Sequence, residues 1–441
     1  MKSKATGKRE TVPSRRQVIQ GGLAAAGMAV ASPILSACKK DSTSGSPAGT
    51  TLKIGFVSPR TGPAAGFGEP DGYVLELAKK ALAAGLQIGG TLYQVQLIDK
   101  DSQSNPQRSA QVANELITGD NVDLMLTTST PETVNPVSDA CEAAGVPCIS
   151  TVVPWEAWYF GRGGKPDAPS PFKFTFHFCF GVEQFSNAYS HLWPQVETNK
   201  KVGVMWPNDA DGNAIRGALG PLLTKAGYTI VDPGAYTDGT NDYSSMIAKF
   251  KDEQCEIFNA FPIPPDFATF WQQAAQQSYK PRIAQIAKTG LFPSQVEALG
   301  PIGVGIAGGA YWSPTWPYRS PLTNVSSQQL AEGYQATGKQ WNQQLGPSLA
   351  LFDVAAAALQ AVPDPKDKAA VAKAIGTLDV QTPIGRLQWG KGPNASVVAT
   401  PILGGQWIKS ADPKYKVDFV LVENSSDPHV PVVAKLRAYG T

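Results

Sequence analysis

Histidine and cysteine are scarce in this 441-residue chain, which contains three histidines and five cysteines. No two of the histidines (His177, His191 and His429) have the spacing of metal ligands. The chain also lacks a Gly-rich phosphate-binding loop and a Gly-x-Ser-x-Gly segment around a nucleophilic serine. These absences argue against a metalloenzyme, a nucleotide-dependent enzyme and a serine hydrolase, so we expect no catalytic residues, no cofactor and no metal.

Strong charge of either sign is absent as well. The chain contains 38 basic and 36 acidic residues. Its first 37 residues hold six of the basic and one of the acidic residues, so their removal would leave 32 and 35 and a formal charge of −3. A nearly neutral body argues against binding to nucleic acid or to an anionic membrane through bulk charge.

The N-terminal segment has the pattern of an export signal. Six basic residues precede or begin an apolar stretch that is uncharged from Gln17 to Cys38 and ends in small residues. Adjacent glycines and Pro33 interrupt this stretch, so it is too weakly hydrophobic for a membrane span. SRRQVI at 14–19 is similar to a twin-arginine signal, although Val18 stands where a phenylalanine is usual.

LSAC at 35–38 resembles a bacterial lipobox, in which Cys38 receives a lipid and becomes the first residue of the mature chain. An ordinary export signal with an incidental cysteine is the alternative. We predict a signal peptide at 1–37 and, from its Ser, Gly and Pro content, a flexible tether at 38–50. The expected location is the periplasm or the outer face of the cytoplasmic membrane, with the lipid as the only membrane anchor.

From residue 51 onward, short apolar strands alternate with amphipathic helices. TLKIGFVSP at 51–59 is the first apolar run, and apolar residues at helical spacing follow at 70–85. Later helices are predicted near 326–344, 347–362 and 366–376, before a β-rich tail from Val380. Strands joined by helices form parallel sheets covered on both faces. The strands are too many for one sheet, so we predict an α/β fold with two lobes.

Ligands of open parallel sheets bind beyond the carboxyl ends of the strands. The segment 127–133 places hydroxyl groups at a helix start, where N–H groups and the helix dipole favour a carboxylate. Capping of that helix by Ser129 or Thr130 is the alternative. Glu132 would place an acid nearby, which suits an amine better than an anion. The polar candidates at the strand ends are Ser129, Thr130, Thr133, Ser150, Thr151, Asp211, Lys288 and Thr289.

Two further features leave alternatives open. Aromatic residues cluster in an insertion at 154–171 and in YWSPTWPYRS at 311–320, where they suggest a stacking wall for a ligand or, alternatively, packing between lobes. Cys141 and Cys148 are close in sequence and form a disulfide candidate in an exported protein, with buried free thiols as the alternative.

The order of these segments resembles the type I periplasmic solute-binding proteins of ABC importers, in their leucine/isoleucine/valine-binding branch. The resemblance covers about 51–440. The segments that carry it are LKIGFVSPRTGPAAGFGE, SDACEAAGVPCIST, VGVMWPNDADG, DYSSMIAKFK, SLALFDVAAAAL and TPIGRLQWGKGPN. The family's fold has two Rossmann-like lobes joined by three crossovers. For this chain it implies a first lobe at 51–171 and 315–395 and a second lobe at 172–314 and 396–441.

The resemblance implies a binding protein without catalysis, which captures a branched-chain amino acid or a related amino acid or carboxylate between its lobes. The implied partners are the small-molecule ligand and the membrane subunits of an ABC permease, and the expected state is a monomer. A sensor that uses the same fold for signalling or regulation is the alternative.

The family's ligand contacts carry over unevenly. The aromatic residue of the first loop corresponds to Phe67, and the hydroxyl groups that hold the ligand's carboxylate correspond to the 129–133 and 150–154 segments. Asp211 stands in place of a tyrosine, and Ile263 stands near the place of another aromatic residue.

The acid that pairs with the ligand's ammonium group corresponds to Lys288 and Thr289, where this chain has no acid. Two hypotheses follow. Either Asp211, Asp209 or Asp266 binds the ammonium, or Lys288 makes the second lobe cationic and the ligand has a second anionic group or no amine.

Overall fold

The computed structural model describes residues 50–441. The predicted signal peptide, the lipidation at Cys38 and all of the predicted tether except Thr50 lie outside the described residues. Within residues 50–441, the helices are all too short or too polar to cross a membrane.

Strands and helices alternate along the described chain, as the apolar periodicity predicts. The strands are β1 (Thr51–Ser58), β2 (Leu86–Ile88), β3 (Thr91–Asp101), β4 (Leu124–Thr128), β5 (Cys148–Thr151), β6 (Thr175–Phe178), β7 (Lys201–Met205), β8 (Thr229–Val231), β9 (Ile257–Ala260), β10 (Ile283–Ile286), β11 (Ala307–Ala310), β12 (Asp379–Thr382), β13 (Gly385–Gln388), β14 (Val397–Val398), β15 (Leu403–Lys409) and β16 (Val417–Glu423). The helices are α1 (Asp71–Leu82), α2 (Pro106–Asn114), α3 (Pro131–Ala144), α4 (Trp155–Tyr159), α5 (Val182–Leu192), α6 (Ala210–Lys225), α7 (Ser244–Asp252), α8 (Pro264–Gln276), α9 (Pro293–Ala298), α10 (Ser327–Gln335), α11 (Leu345–Gln360) and α12 (Lys368–Ile375).

The first lobe is built on a seven-stranded sheet in the order β14-β6-β5-β4-β1-β3-β2. Its strands are parallel, except that β2 pairs antiparallel with β3. Strand β1 is apolar on both faces. Ile54 and Phe56 belong to the core that includes α1, whereas Val57 belongs to a second core formed with α2 and α3. Helices on both faces explain why its strands read as nearly continuous apolar runs.

The second lobe is built on another seven-stranded sheet, in the order β16-β15-β11-β10-β9-β7-β8. The five strands from β7 to β11 are parallel, and β15 and β16 add an antiparallel edge. The predicted α/β fold with two Rossmann-like lobes is therefore confirmed.

Two of the predicted lobe boundaries are wrong. Strand β6 pairs with β5, and β14 pairs with β6, so residues 175–178 and 397–398 belong to the first sheet rather than to the second lobe. The physical reason is that FKFTFHFCF at 172–180 is one apolar run. It contains both a strand of the first lobe and the start of a crossover, and no turn residue marks the change.

The predicted helix at 326–344 ends at Gln335. Gly338 has a φ of 91°, a conformation that does not continue a right-handed helix. The following residues bind the second lobe instead. The Gln335 side chain donates to the Tyr415 hydroxyl over 3.1 Å, and the Gln340 side chain donates to Asp418 over 3.1 Å.

The disulfide candidate is not formed in the structure, where Cys141 and Cys148 are free thiols. Both are fully buried in the apolar core between α2, α3 and the first sheet. Burial raises the pKa of Cys141 well above its usual value, and the neighbouring Cys148 adds to this shift. The alternative of buried free thiols describes this pair.

The chain passes between the lobes near Cys179, near Tyr311 and near Thr400. The first and third passages lie side by side, since Cys179 donates its N–H to the Val398 carbonyl and accepts from the Thr400 N–H. Helix α4 of the first lobe holds the first passage. Its Glu156 accepts a hydrogen bond over 2.9 Å from Val182, the first residue of α5 in the second lobe.

Gly181 is packed tightly between α4 and α5. A Cβ atom at this position would overlap the Trp155 indole and the Glu156 carboxylate. We expect Gly181→Ala to lower the free energy of unfolding by about 1–3 kcal/mol, because overpacking displaces α4 from the crossover. Gly217→Ala is the matched control. Gly217 lies in α6 with open space around its Cα, so alanine there should be neutral or stabilising. Urea unfolding of both variants measures the difference, and equal effects would contradict the packing argument.

Glu156 should make the stability of the protein depend on pH. Burial raises the pKa of this carboxyl from 4.5 to about 7, so the native state binds a proton that the unfolded chain releases. Stability should therefore rise as the pH falls from about 7 to about 4.5. Glu156→Gln retains the acceptor for Val182 and should increase stability at pH 8 by up to about 3 kcal/mol.

Thermal unfolding at pH 5 and pH 8 tests this effect. The Glu156→Gln variant should depend less on pH than the native protein over this range. Glu197→Gln, which changes an exposed acid that is not among the groups shifting the pKa of Glu156, is the control and should leave the pH dependence unaltered. A Glu156→Gln variant with the native pH profile would contradict the prediction.

Candidate ligand-binding site

A cavity lies where the carboxyl ends of the strands of both sheets meet the three crossovers. The space that protein atoms leave unfilled here, including its opening to solvent, is about 480 Å³, and water-sized spheres can be centred in about 40 Å³ of it. Its lining is Phe67, Ser129, Thr130, Val152, Pro154, Phe180, Phe185, Asp211, Phe261, Ala287, Lys288, Leu291, Gly309, Tyr311 and Ile402. Most of these side chains are apolar, so the cavity favours a ligand with an apolar body.

Each of the three crossovers contributes one side chain to the wall of the cavity: Phe180, Tyr311 and Ile402. The rings of Phe180 and Tyr311 stack with centroids 5.4 Å apart. The three segments that join the lobes therefore border the cavity directly. A ligand here is placed to influence the angle between the lobes.

The two lobes also meet through an aromatic contact beside the cavity. Phe67, which follows β1 in the first lobe, packs edge-on against Phe292 of the second lobe with ring centroids 4.9 Å apart. The lining of the cavity contains five aromatic residues in all, namely Phe67, Phe180, Phe185, Phe261 and Tyr311. Such rings supply large apolar contact areas and stack on planar ligands.

Three lining residues other than glycine have a positive φ. These are Ser129 at 129°, Val152 at 75° and Lys288 at 67°. They follow β4, β5 and β10, so the strain is placed at strand ends on both sides of the cavity. Backbone strain of this kind costs about 1–3 kcal/mol for each residue and concentrates at functional sites. The strained backbone supports the identification of this cavity as the functional site.

The N-terminus of α3 forms the polar end of the cavity in the first lobe. Thr130 is the N-cap residue, but its side chain makes no capping hydrogen bond. The Ser129 Oγ is buried and has no hydrogen-bond partner. Neither hydroxyl group therefore caps α3, which was the alternative role considered for Ser129 and Thr130. A helix N-terminus with an unpaired hydroxyl is suited to bind a carboxylate.

A buried lysine forms the polar end of the cavity in the second lobe. The Lys288 Nζ lies 2.6 Å from an Asp209 carboxylate oxygen and 2.9 Å from Asp211 Oδ2. Asp209 also caps α6 by accepting from the Gly212 N–H over 2.6 Å. Asp211 Oδ1 is buried and has no partner. Lys288 thus joins two acids, and one carboxylate oxygen remains available on Asp211.

The pKa values of this cluster follow from burial and from neighbouring charges. Burial raises the pKa of Asp211 to about 7; Lys288 opposes this shift, and Asp209 and Glu132 add to it. Burial alone would lower the pKa of Lys288, but the carboxylates of Asp211, Asp209 and Glu132 outweigh burial and raise it well above its usual value. Lys288 is therefore charged, and Asp211 changes protonation near neutral pH.

More acids surround this lysine than its charge can neutralise. Asp238 and Asp266 add to the charges described above, and burial followed by acidic neighbours raises the pKa of Asp238 to about 6. Burial also raises the pKa of Asp266, whose carboxylate accepts from the Gly239 N–H. Acids therefore outnumber bases around this lysine, which argues against the hypothesis that Lys288 makes the second lobe cationic. In residues 50–441 no group of three or more His, Cys, Asp or Glu residues is arranged to hold a metal ion.

Five of the ten predicted ligand-binding residues line the cavity: Phe67, Ser129, Thr130, Asp211 and Lys288. The other five, Thr133, Ser150, Thr151, Ile263 and Thr289, are outside the lining. The side chains of Ser150 and Thr151 donate to the carbonyls of β6, and Ser150 also bonds His177 over 2.8 Å.

The remaining predicted residues have structural contacts of their own. The Thr133 hydroxyl lies 3.0 Å from the Ser102 hydroxyl, and the Thr289 hydroxyl donates to the Pro262 carbonyl over 2.6 Å. Ile263 is the N-cap residue of α8. The aromatic residue expected near Ile263 is Phe261, which lines the cavity two positions earlier. Periodicity places these segments at the strand ends but does not decide which side chain faces the ligand.

The two aromatic loops differ in their role. In the insertion at 154–171, Trp158 is fully buried against Phe172 and His177, and only Pro154 reaches the cavity. Helix α4 in this insertion packs against α6 of the second lobe, so packing between lobes is the interpretation that holds. In the loop at 311–320 only Tyr311 lines the cavity.

Several lining residues carry no signal that spacing alone reveals. Phe180, Phe185, Gly309 and Ile402 lie in or beside crossovers, and the strand-end rule does not identify crossovers. Only the tertiary pairing of the strands shows that these four residues lie at or beside the crossovers.

The unpaired hydroxyl of Ser129 leads to a test of the site. We expect Ser129→Ala to weaken a bound carboxylate by about 1.5–3 kcal/mol, because one charge-assisted hydrogen bond is lost. Ser150→Ala is the matched control, since that hydroxyl bonds His177 within the sheet. It should lower thermal stability while leaving affinity within about twofold. Isothermal titration calorimetry of both variants measures the change in ligand affinity. An equal loss of affinity in both would show that the carboxylate does not bind at Ser129.

Together, these features define a two-lobed ligand-binding protein whose cavity is enclosed by both lobes and their crossovers. The chain belongs to the periplasmic binding protein family, whose model it matches over residues 51–410. Members of this family and the structural neighbours are substrate-binding proteins rather than enzymes, and family membership implies an extracytoplasmic location. The predicted resemblance to the type I proteins of the branched-chain amino acid group is confirmed.

Among curated proteins, the chain is 24% identical over 206 residues to Leu/Ile/Val-binding protein homolog 3 of Brucella melitensis. This match covers 47% of the chain and 53% of that relative, so the chain spans about half the length of the curated relatives it matches. The leucine-binding protein LivK of Thermotoga maritima has a similar structure, with a TM-score of 0.69, 17% identity, and coverage of 85% of this chain and 99% of LivK.

A solute-binding protein of an ABC transporter from Rhodopseudomonas palustris, solved with 3,4-dihydroxybenzoic acid, is another structural neighbour. Its TM-score is 0.68 at 17% identity, and the match covers 87% of this chain and 98% of the neighbour. At this identity the likeness shows the shared fold.

Proposed function

We propose that this protein is the substrate-binding component of an ABC importer and that it captures a small apolar carboxylate between its lobes. The observation that carries the proposal is the cavity lined by both lobes and by all three crossovers. An enzyme needs groups that act on a reacting bond. This cavity combines apolar walls with one anion-binding helix end, which suits capture and release.

The proposed ligand is a branched-chain amino acid or a related amino acid or aromatic carboxylate. The structural neighbours include a protein named for leucine and proteins solved with isoleucine and with 3,4-dihydroxybenzoic acid, and all three compounds carry a carboxyl group. In this chain the N-terminus of α3 and the Ser129 hydroxyl would bind that carboxylate. The five aromatic rings would surround the apolar body of the ligand.

The mechanism is closure of the two lobes around the ligand. The ligand binds both lobes only when they are closed, so it shifts the population toward the closed state. Contacts remote from the cavity, such as Gln335 with Tyr415 and Gln340 with Asp418, also join the lobes. The closed protein, acting as a monomer, would deliver the ligand to the permease subunits in the membrane.

The proposed site of action is the outer face of the cytoplasmic membrane. The twin-arginine type of signal at 1–37 would direct export, and a lipid on Cys38 would attach the folded body through the tether at 38–50. The attachment would keep the binding protein near its permease.

A ligand screen with residues 51–441 tests the proposed function. Leucine, isoleucine, valine, phenylalanine, benzoate and hydroxybenzoates would be added in a thermal-shift assay, where a ligand at 100 times its Kd should stabilise the native state by about 2.7 kcal/mol. Small-angle scattering with the best ligand should then show a smaller radius of gyration. Methylammonium chloride, which lacks a carboxylate, is the control. Stabilisation without compaction, or no stabilisation by any carboxylate, would contradict the proposal.

A further inference from the structure

Two buried polar atoms of the cavity have no hydrogen-bond partner: Ser129 Oγ in the first lobe and Asp211 Oδ1 in the second. Ser129 is 1% exposed and Asp211 is 4% exposed, so solvent does not readily satisfy either atom. A buried polar atom without a partner costs about 1–3 kcal/mol, and at a functional site it indicates a missing ligand atom. The cavity therefore presents one donor end and one acceptor end.

Lys288 does not present a free positive charge to the cavity. Its Nζ is held by Asp209 at 2.6 Å and by Asp211 at 2.9 Å. Glu132 adds a further negative charge from the first turn of α3. A second anionic group on a ligand would approach more acids than bases here, and it would have to be desolvated as well.

We propose that Asp211 determines the class of ligand, which carries, besides its carboxylate, a hydroxyl or ammonium group that donates a hydrogen bond to Asp211 Oδ1. This inference rests on the proposed function. The carboxylate would bind at the α3 N-terminus in the first lobe and the donor would bind in the second lobe. The ligand would then join the lobes through one polar contact on each side of an apolar body.

Matched ligand pairs test the inference on the native protein. Benzoate is compared with 4-hydroxybenzoate, and 4-methylpentanoate is compared with leucine; within each pair only the donor differs. At about pH 8.5, above the pKa of about 7 that burial gives Asp211, the donor-bearing ligand of at least one pair should bind about 10- to 100-fold more tightly, as expected for a hydrogen bond to a charged group. The pair that shows the difference identifies the donor as a hydroxyl or as an ammonium group. Equal affinities within both pairs would overturn the inference.

The Asp211→Asn variant tests whether this residue is the acceptor. It should reduce the affinity for the donor-bearing ligand by about 10- to 100-fold and should leave the donor-free ligand within about twofold. Asp238→Asn is the matched control, because Asp238 is another acid near Lys288 but does not line the cavity. It should leave the difference within each pair intact. An equal loss for both members of a pair in Asp211→Asn would assign Asp211 a structural role only.

Dicarboxylates test whether the second lobe binds an anionic group of the ligand instead of a hydrogen-bond donor. Terephthalate and glutarate should bind at least 10-fold more weakly than the best donor-bearing ligand, because their second carboxylate faces Asp211. Tight binding of either would show that Lys288 accepts an anion, and it would overturn this inference while supporting the proposed function. If none of these carboxylates binds, the proposed function fails and the inference fails with it.

Discussion

The chain passes three times between the lobes, and this constraint determines much of the site. Since all three passages border the same cavity, the residues at their turning points, Phe180, Tyr311 and Ile402, become its wall. The packing that fixes the first passage, through Glu156 and Val182, therefore also fixes one side of the ligand site. A change in the angle between the lobes alters the cavity directly, without a relay of intermediate contacts.

The polar groups at the two ends of the cavity differ in charge, and this difference would orient a ligand that the apolar walls alone would not orient. The positive end of α3 faces the cavity from the first lobe, and Asp211 with its partner Lys288 faces it from the second. Burial of the lysine is tolerable because two carboxylates compensate its charge, and removal of one partner from such a buried pair costs about 3–5 kcal/mol. The lysine therefore holds Asp209 and Asp211 in place, and Asp211 keeps one oxygen for other contacts.

Apolar periodicity was sufficient to predict the two-lobed α/β fold and nearly all long elements. It failed where sequence pattern and topology diverge. The run at 172–180 contains both β6 and a crossover, and the helical pattern beyond Gln335 stops before a glycine with positive φ. The short helices α4 and α9 were missed because five or six residues do not establish a helical period.

The site was predictable to the level of segments but not of side chains. The strand-end rule led to Ser129, Asp211 and Lys288, which line the cavity, and equally to Ser150 and Thr289, which bond neighbouring strands. The difference depends on whether each hydroxyl finds a carbonyl in the fold, and this is a tertiary property. The charge of Lys288 was likewise visible in the sequence, but its two partners come from the start of α6. Asp209, which makes the shorter contact, is 79 residues away along the chain.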